Sequence, residues 1–153
     1  MTSPTYEGGI AVAQVIQEQL RAVGVTATLE TVEWGTYINR WVQRDFDTMV
    51  ELRGGDPDPD RFLYRTFHST GAVNNFLFKD AAIDRLLERG RVNLDPDARR
   101  PIYAQLERAL VEAAPALFLY TPMETQVLQG YVKGFRIVGN GSLYYLEGAT
   151  LER

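Results

Sequence analysis

The chain has 153 residues, of which 45% are hydrophobic, 24% charged and 11% aromatic, enough apolar surface for a core and too little polar bias for disorder. Its 16 Lys and Arg against 20 Asp and Glu give a net charge of -4, which leaves no basic footprint for nucleic acid or an anionic membrane. The absence of cysteine and the single histidine exclude a disulfide framework, a thiolate metal site, a cysteine nucleophile and most zinc sites and histidine triads. No cofactor and no metal are therefore expected, and the length predicts one domain over residues 1–153. No run approaches the ~18 apolar residues of a membrane span, and Met1 to Gly9 lacks the basic stretch and apolar core of an export signal.

Val12, Ile16, Leu20 and Val23 recur at spacings of three and four, predicting an amphipathic helix from Ile10 to Val23 that Gly24 ends in the left-handed conformation. Val25, Ala27 and Leu29 alternate with Thr26, Thr28 and Glu30, the pattern of a half-buried strand. The helical period returns at Trp34, with Tyr37, Ile38, Trp41 and Val42 on the apolar face. A second alternating stretch, Phe46 to Arg53, predicts another strand running into Gly54-Gly55-Asp56-Pro57-Asp58-Pro59-Asp60. Asp58 or Asp60 is placed to cap a short helix carrying Phe62, Leu63 and Phe67, with Pro59 suited to its first turn.

Asp80 opens a helix with Ile83, Leu86 and Leu87, and Asp95-Pro96-Asp97 opens another lined by Ile102, Leu106, Ala109, Leu110 and Ala113. Pro101 lies inside that helix and is expected to bend it or delay its start. Leu117 to Tyr120, between prolines, reads as a short buried strand. Phe135 to Val138 and Leu143 to Leu146 flank Gly139-Asn140-Gly141-Ser142 as a hairpin. Strands alternating with helices predict an α/β domain with a mixed sheet flanked by helices.

The loop from Gly54 to Asp60 is the most informative stretch. Ligands of open α/β sheets gather at the carboxyl ends of strands, and this loop leaves such an end with Gly54 and Gly55, which permit close approach, and with Asp56, Asp58 and Asp60, which can fix an ammonium group. A rigid proline turn with aspartate caps is the competing reading. A calcium loop fails, because Arg61 and Phe67 stand where its Gly and Glu belong. Glu51 and Arg53 share one strand face and either line the cleft or lie on a solvated sheet face. His68, in a polar loop, reads as a surface residue, and Trp34 and Trp41 as packing residues. Asn140-Gly141-Ser142 matches a glycosylation sequon, a motif common by chance. No nucleophile motif, Walker lysine or paired metal-binding histidines are present.

Several blocks in order resemble the peptide- and nickel-type solute-binding proteins of bacterial ABC importers, which include the dipeptide- and oligopeptide-binding proteins. They are Ala13 to Val25, Glu33-Trp34-Gly35-Thr36-Tyr37, Arg44-Asp45-Phe46-Asp47 leading to Gly54 through Leu63, Asn75 with Ile83-Asp84-Arg85-Leu86-Leu87, and Asp95 through Tyr120. The resemblance implies the periplasmic-binding-protein-like (class II) fold and a C-terminal lobe, with an N-terminal lobe and the export signal lying outside this sequence. It implies an extracytoplasmic, non-enzymatic role: capture of a peptide or similar small solute between two lobes and delivery to the membrane permease of the importer. In peptide-binding members a loop aspartate pairs with the ligand's α-ammonium. Aligned on Gly54-Gly55 its counterpart is Asp56, the preferred match; aligned without a gap on Pro57 to Asp60, Gly55 stands there. Leu52 stands at or near the place of a tryptophan common in the family. The expected ligand-binding residues are Arg53, Gly54, Gly55, Asp56 and Asp58. The alternative is a small α/β hydrolase or transferase using Asp56, Asp58 or Asp60 as base or metal ligand, and a stand-alone interaction domain is a third reading.

Overall fold

The computed structural model describes residues 1–6, 8–53, 58–121, 123, 125, 127–136 and 144–152. The chain divides into two compact units, Met1–Arg53 with Asn75–Leu77, and Gly54–Asn74 with Phe78–Arg153.

The first unit holds helices α1 (Gly9–Ala22) and α2 (Trp34–Gln43). Helix α1 ends where its sequence requires. Gly24 takes φ +84° and donates to the Arg21 carbonyl, while Val25 N–H reaches back to Leu20, the paired bonds of a Schellman stop. Helix α2 starts on Glu33, whose carboxylate accepts from the amides of Gly35 and Thr36 at 2.7 and 3.2 Å. The two segments expected as strands, 25–30 and 46–53, are extended but form no ladder with each other. Met1–Ser3 lies between them: Thr2 N–H donates to Glu30, Val32 to Thr2 and Val50 to Met1, with a single parallel bridge at Thr2 and Thr31. Alternation specifies which side chains face inward, whereas a strand also needs a continuous backbone partner. Val25 and Leu52 stay about half exposed.

The second unit is helical: α3 (Pro59–Phe67), α4 (Ala81–Val92) and α5 (Pro96–Ala113). Each begins as the sequence indicates, with Asp58, Asp80 and Asp95 accepting hydrogen bonds from first-turn amides and Pro59 and Pro96 in the first turn. Pro101 does not delay α5, which is already helical from Pro96. Phe67, Ile83, Leu86, Leu87, Ile102, Tyr103, Leu106 and Leu110 form the buried cluster, with Phe62, Leu63, Phe78 and Ala109 packed on it. These are the apolar positions spaced by three and four in each helix, which is why α4 and α5 lie against one another.

Gly90 of α4 lies against the Tyr103 side chain of α5. A Cβ there would meet the Tyr103 ring at 2.9–3.2 Å, so Gly90→Ala is expected to lose about 1–3 kcal/mol through overpacking, despite alanine's better helix propensity. Equilibrium urea unfolding of the two forms measures this.

The mixed sheet expected from the sequence is not what the described residues form. Their only named strands are β1 (Val132–Lys133) and β2 (Thr150–Leu151), an antiparallel pair. Leu117–Tyr120 is extended yet exposed, Leu117 at 76% and Tyr120 at 64%, so apolarity gave its conformation but not a covering layer. Tyr144–Gly148 is a 3-10 turn rather than the second arm of a hairpin, and its Asn-Gly turn and sequon lie outside the described residues. Among the described residues no helix is long and apolar enough to cross a membrane.

Candidate functional site

In the first unit, the residues approaching the glycine loop form an aromatic and ionic cluster. Tyr37 is buried and donates its hydroxyl to the Val50 carbonyl at 3.2 Å. Trp34 stacks on the Tyr37 ring at 5.6 Å, and Tyr6 meets both edge-on at 5.4 and 5.5 Å. Burial raises both phenol pKa values above the ordinary tyrosine range, so these hydroxyls stay protonated donors. The reading of Trp34 as a packing residue matches this stack.

Arg53 and Glu51 do not lie on a solvated face. Both are about three-quarters buried, with Arg53 Nη2 2.8 Å from Glu51 Oε1 and the Arg53 guanidinium 5.3 Å from the Trp41 ring centre. Desolvation raises the Glu51 pKa, with the Arg53 charge opposing it. Arg53 Nη2 is held by that Glu51 carboxylate, whereas Nε is screened from solvent without a partner. A donor left so is costly, about 1–3 kcal/mol, and a carbonyl or carboxylate presented at this point would satisfy it. Arg53 immediately precedes Gly54, Gly55 and Asp56, which lie outside the described residues.

The second unit fixes the chain just after that loop. Asp58 accepts from the Asp60 amide at 2.8 Å as the cap of α3, and its two oxygens accept from Arg99 Nη1 and Nη2, each at 2.8 Å. Arg99 also donates from Nε to the Gly90 carbonyl and from Nη2 to the Tyr103 hydroxyl, both at 3.1 Å. Asp60 receives three bonds of 3.1 Å from Arg91, whose guanidinium carbon is 3.3 Å from the Tyr64 ring centre. Both oxygens of Asp58 are thus engaged.

The Arg99 hydrogen bonds, then the Asp60 amide, hold the Asp58 carboxyl at about 2 against an ordinary 3.8. A lowered carboxyl pKa stabilises the folded state above the unfolded value, and that stabilisation is lost as pH falls from 3.8 through about 2. Because Asp58 is half exposed, screening leaves about 1 kcal/mol. Asp58→Asn keeps a competent cap, so its melting temperature is expected to fall less than the wild type's between pH 5 and pH 2.5.

These pairs also weigh against the hydrolase or transferase alternative. A carboxyl held near 2 takes up no proton at neutral pH, and among the described residues no group of His, Asp and Glu is placed to hold a metal. His68 is not a surface residue. It is buried, its ring stacked on Tyr64 at 4.1 Å, with Nδ1 2.9 Å from Thr70 Oγ1 and Nε2 3.4 Å from Glu88 Oε1. It ties the end of α3 to α4. Elsewhere, a surface depression of about 570 Å³ is lined by Arg89, Val92, Asn93, Leu94 and Ile102.

Sequence reasoning missed the partners of the aspartates. One signal was available: Arg99 stands in the first turn of α5, where the helix dipole disfavours a cation, and a basic residue there points to an anionic partner elsewhere.

The family model for bacterial extracellular solute-binding proteins, family 5, middle region, matches residues 1–74. The di/tripeptide-binding protein 4 of Pseudomonas aeruginosa is 29% identical over 140 residues, covering 89% of this chain and 26% of its own length. The oligopeptide-binding protein AppA of Bacillus subtilis is 28% identical over 144 residues, with the same coverage. The structure of that AppA in complex with a nonapeptide superposes with a TM-score of 0.81 at 26% identity, over 99% of this chain and 31% of its own. The murein tripeptide binding protein MppA of Escherichia coli shares the fold, with a TM-score of 0.81 at 24% identity over 99% of this chain and 30% of its own. The fold is thus the class II periplasmic-binding-protein type, and the chain spans about a quarter of the length of these curated relatives. Over residues 1–74, just under half of its length, it is similar to the middle region of the family 5 bacterial extracellular solute-binding proteins.

Proposed function

We propose that this chain is the C-terminal lobe of a two-lobed extracytoplasmic solute-binding protein that captures a peptide or similar small solute for an ABC importer. The observation that carries this reading is its likeness, over 99% of the chain, to a protein whose structure holds a nonapeptide. Relatives named as di/tripeptide- and oligopeptide-binding proteins support the same ligand class. The other lobe and the membrane permease are the proposed partners. Closure of the lobes is a hinge motion stabilised by ligand contacts to both.

Within this lobe Asp56 is the proposed counter-ion of the ligand's α-ammonium, Gly54 and Gly55 admit the peptide backbone, and Arg53 offers donors beside them. Asp58 has its oxygens on Arg99 and the α3 cap. The test is a thermal-shift series on the two-lobed protein with dipeptides, oligopeptides, oligosaccharides and nickel chelates. A ligand that binds only the folded state raises the melting temperature once it exceeds its dissociation constant. A rise with peptides is expected, and a rise confined to another class overturns the peptide assignment.

A further inference from the structure

On the reading of this chain as one lobe, we propose that residues 117–120 are an interior strand of the two-lobed protein, paired along their backbone and covered by polypeptide of the other lobe. The segment follows α5, whose last turn closes where the Ala114 N–H donates to the Leu110 carbonyl. Beyond it the backbone of residues 117–120 makes no hydrogen bond among the described residues. Peptide groups are strong donors and acceptors, and Leu, Phe and Tyr in succession do not hold them in water by choice. Leu117 and Tyr120 are mostly exposed, and Phe118 and Leu119 are about half exposed. One contact seats the segment on the helical core, the Phe118 ring lying 5.9 Å from that of the buried Phe67.

The residue types indicate what covers it. Natural strands that border water carry charged side chains or an internal proline that stop further pairing. From residue 113 to residue 123 the sequence has no charge, and Pro115 and Pro122 bound the apolar run without interrupting it. All four residues of the run are apolar or aromatic rather than alternating with polar ones, the pattern of a strand covered on both faces. Another strand satisfies the backbone and covers the side chains at once. The di/tripeptide-binding relative has about three-quarters of its length outside the matched region, and the superposition on AppA extends over 99% of this chain, this segment with it. A strand from the same polypeptide is present at high effective concentration, so the pairing persists at any dilution.

The test is hydrogen exchange in the two-lobed protein without peptide. The amides of residues 117–120 are expected to exchange at least about 100-fold more slowly than in an unstructured peptide of the same sequence, at every protein concentration. Leu119→Asp is expected to lower the melting temperature of the two-lobed protein by about 5 °C or more, because it places a charge in a covered layer.

Fast exchange of these four amides in the wild-type two-lobed protein overturns the proposal, whether or not the variant folds. Protection that grows with concentration, together with sedimentation as a dimer, overturns it by making a second copy the cover. Protection that appears only on adding a dipeptide overturns it too, because the ligand then supplies the strand. Peptide binding is read separately, by the thermal-shift series. Protected amides in a protein that no peptide stabilises uphold the strand and remove the peptide assignment, whereas fast exchange in a protein that peptides stabilise removes the strand alone.

Discussion

Leu106→Ala is expected to lower the unfolding free energy of the helical unit by about 3–5 kcal/mol, at the upper end of buried leucine truncations. Leu106 is fully buried, as is Leu87 on α4, and Ile83, Ile102, Tyr103 and Leu110 belong to the same cluster. Removing its branched end forfeits the transfer energy of the lost carbons and leaves a cavity. The surrounding side chains are already closely packed and relax only in part to fill it. Val111, on the same helix but 67% exposed, is the control: Val111→Ala is expected to change stability by less than about 0.5 kcal/mol. Urea unfolding followed by circular dichroism measures both. A loss at Leu106 no larger than at Val111 contradicts the packing described.

If Asp56 is the counter-ion proposed above, Asp56→Ala is expected to weaken peptide binding by the two-lobed protein about 100-fold or more, because the ligand's ammonium group is then buried without a counter-charge. Asp56→Asn is expected to recover only a small part, since the amide supplies an oxygen without the charge. Isothermal titration with a dipeptide and its N-acetylated form separates the causes. The wild type is expected to discriminate strongly between them and the alanine variant hardly at all. Discrimination that survives in Asp56→Ala assigns the ammonium to another residue, with Gly55 then standing at the family's aspartate position.

Helices were legible because their information is local. Spacings of three and four, Asp58, Asp80 and Asp95 as caps, and Gly24 as a stop each act within one turn. Segments 25–30, 46–53 and 117–120 were legible only as extended, because a strand is completed by a partner whose place in the sequence leaves no local mark. Ion pairing was hidden for the same reason. Asp58 reads equally as a cap and as a ligand group until Arg99, far along the chain, is found on it. Arg53 and Glu51 read as solvated until Trp41 and the buried Tyr37 are seen beside them. His68 misled because a lone histidine followed by serine and threonine carries no sign of the ring that stacks on it.

The most direct measurement is calorimetric titration of the best-binding peptide into the two-lobed protein and, separately, into this chain alone. If this chain is one lobe of a closing pair, it keeps only part of the contact surface, and its affinity is expected to be at least about 100-fold weaker than that of the two-lobed protein. Equal affinity in both contradicts capture between lobes, because it would place a complete site within these 153 residues.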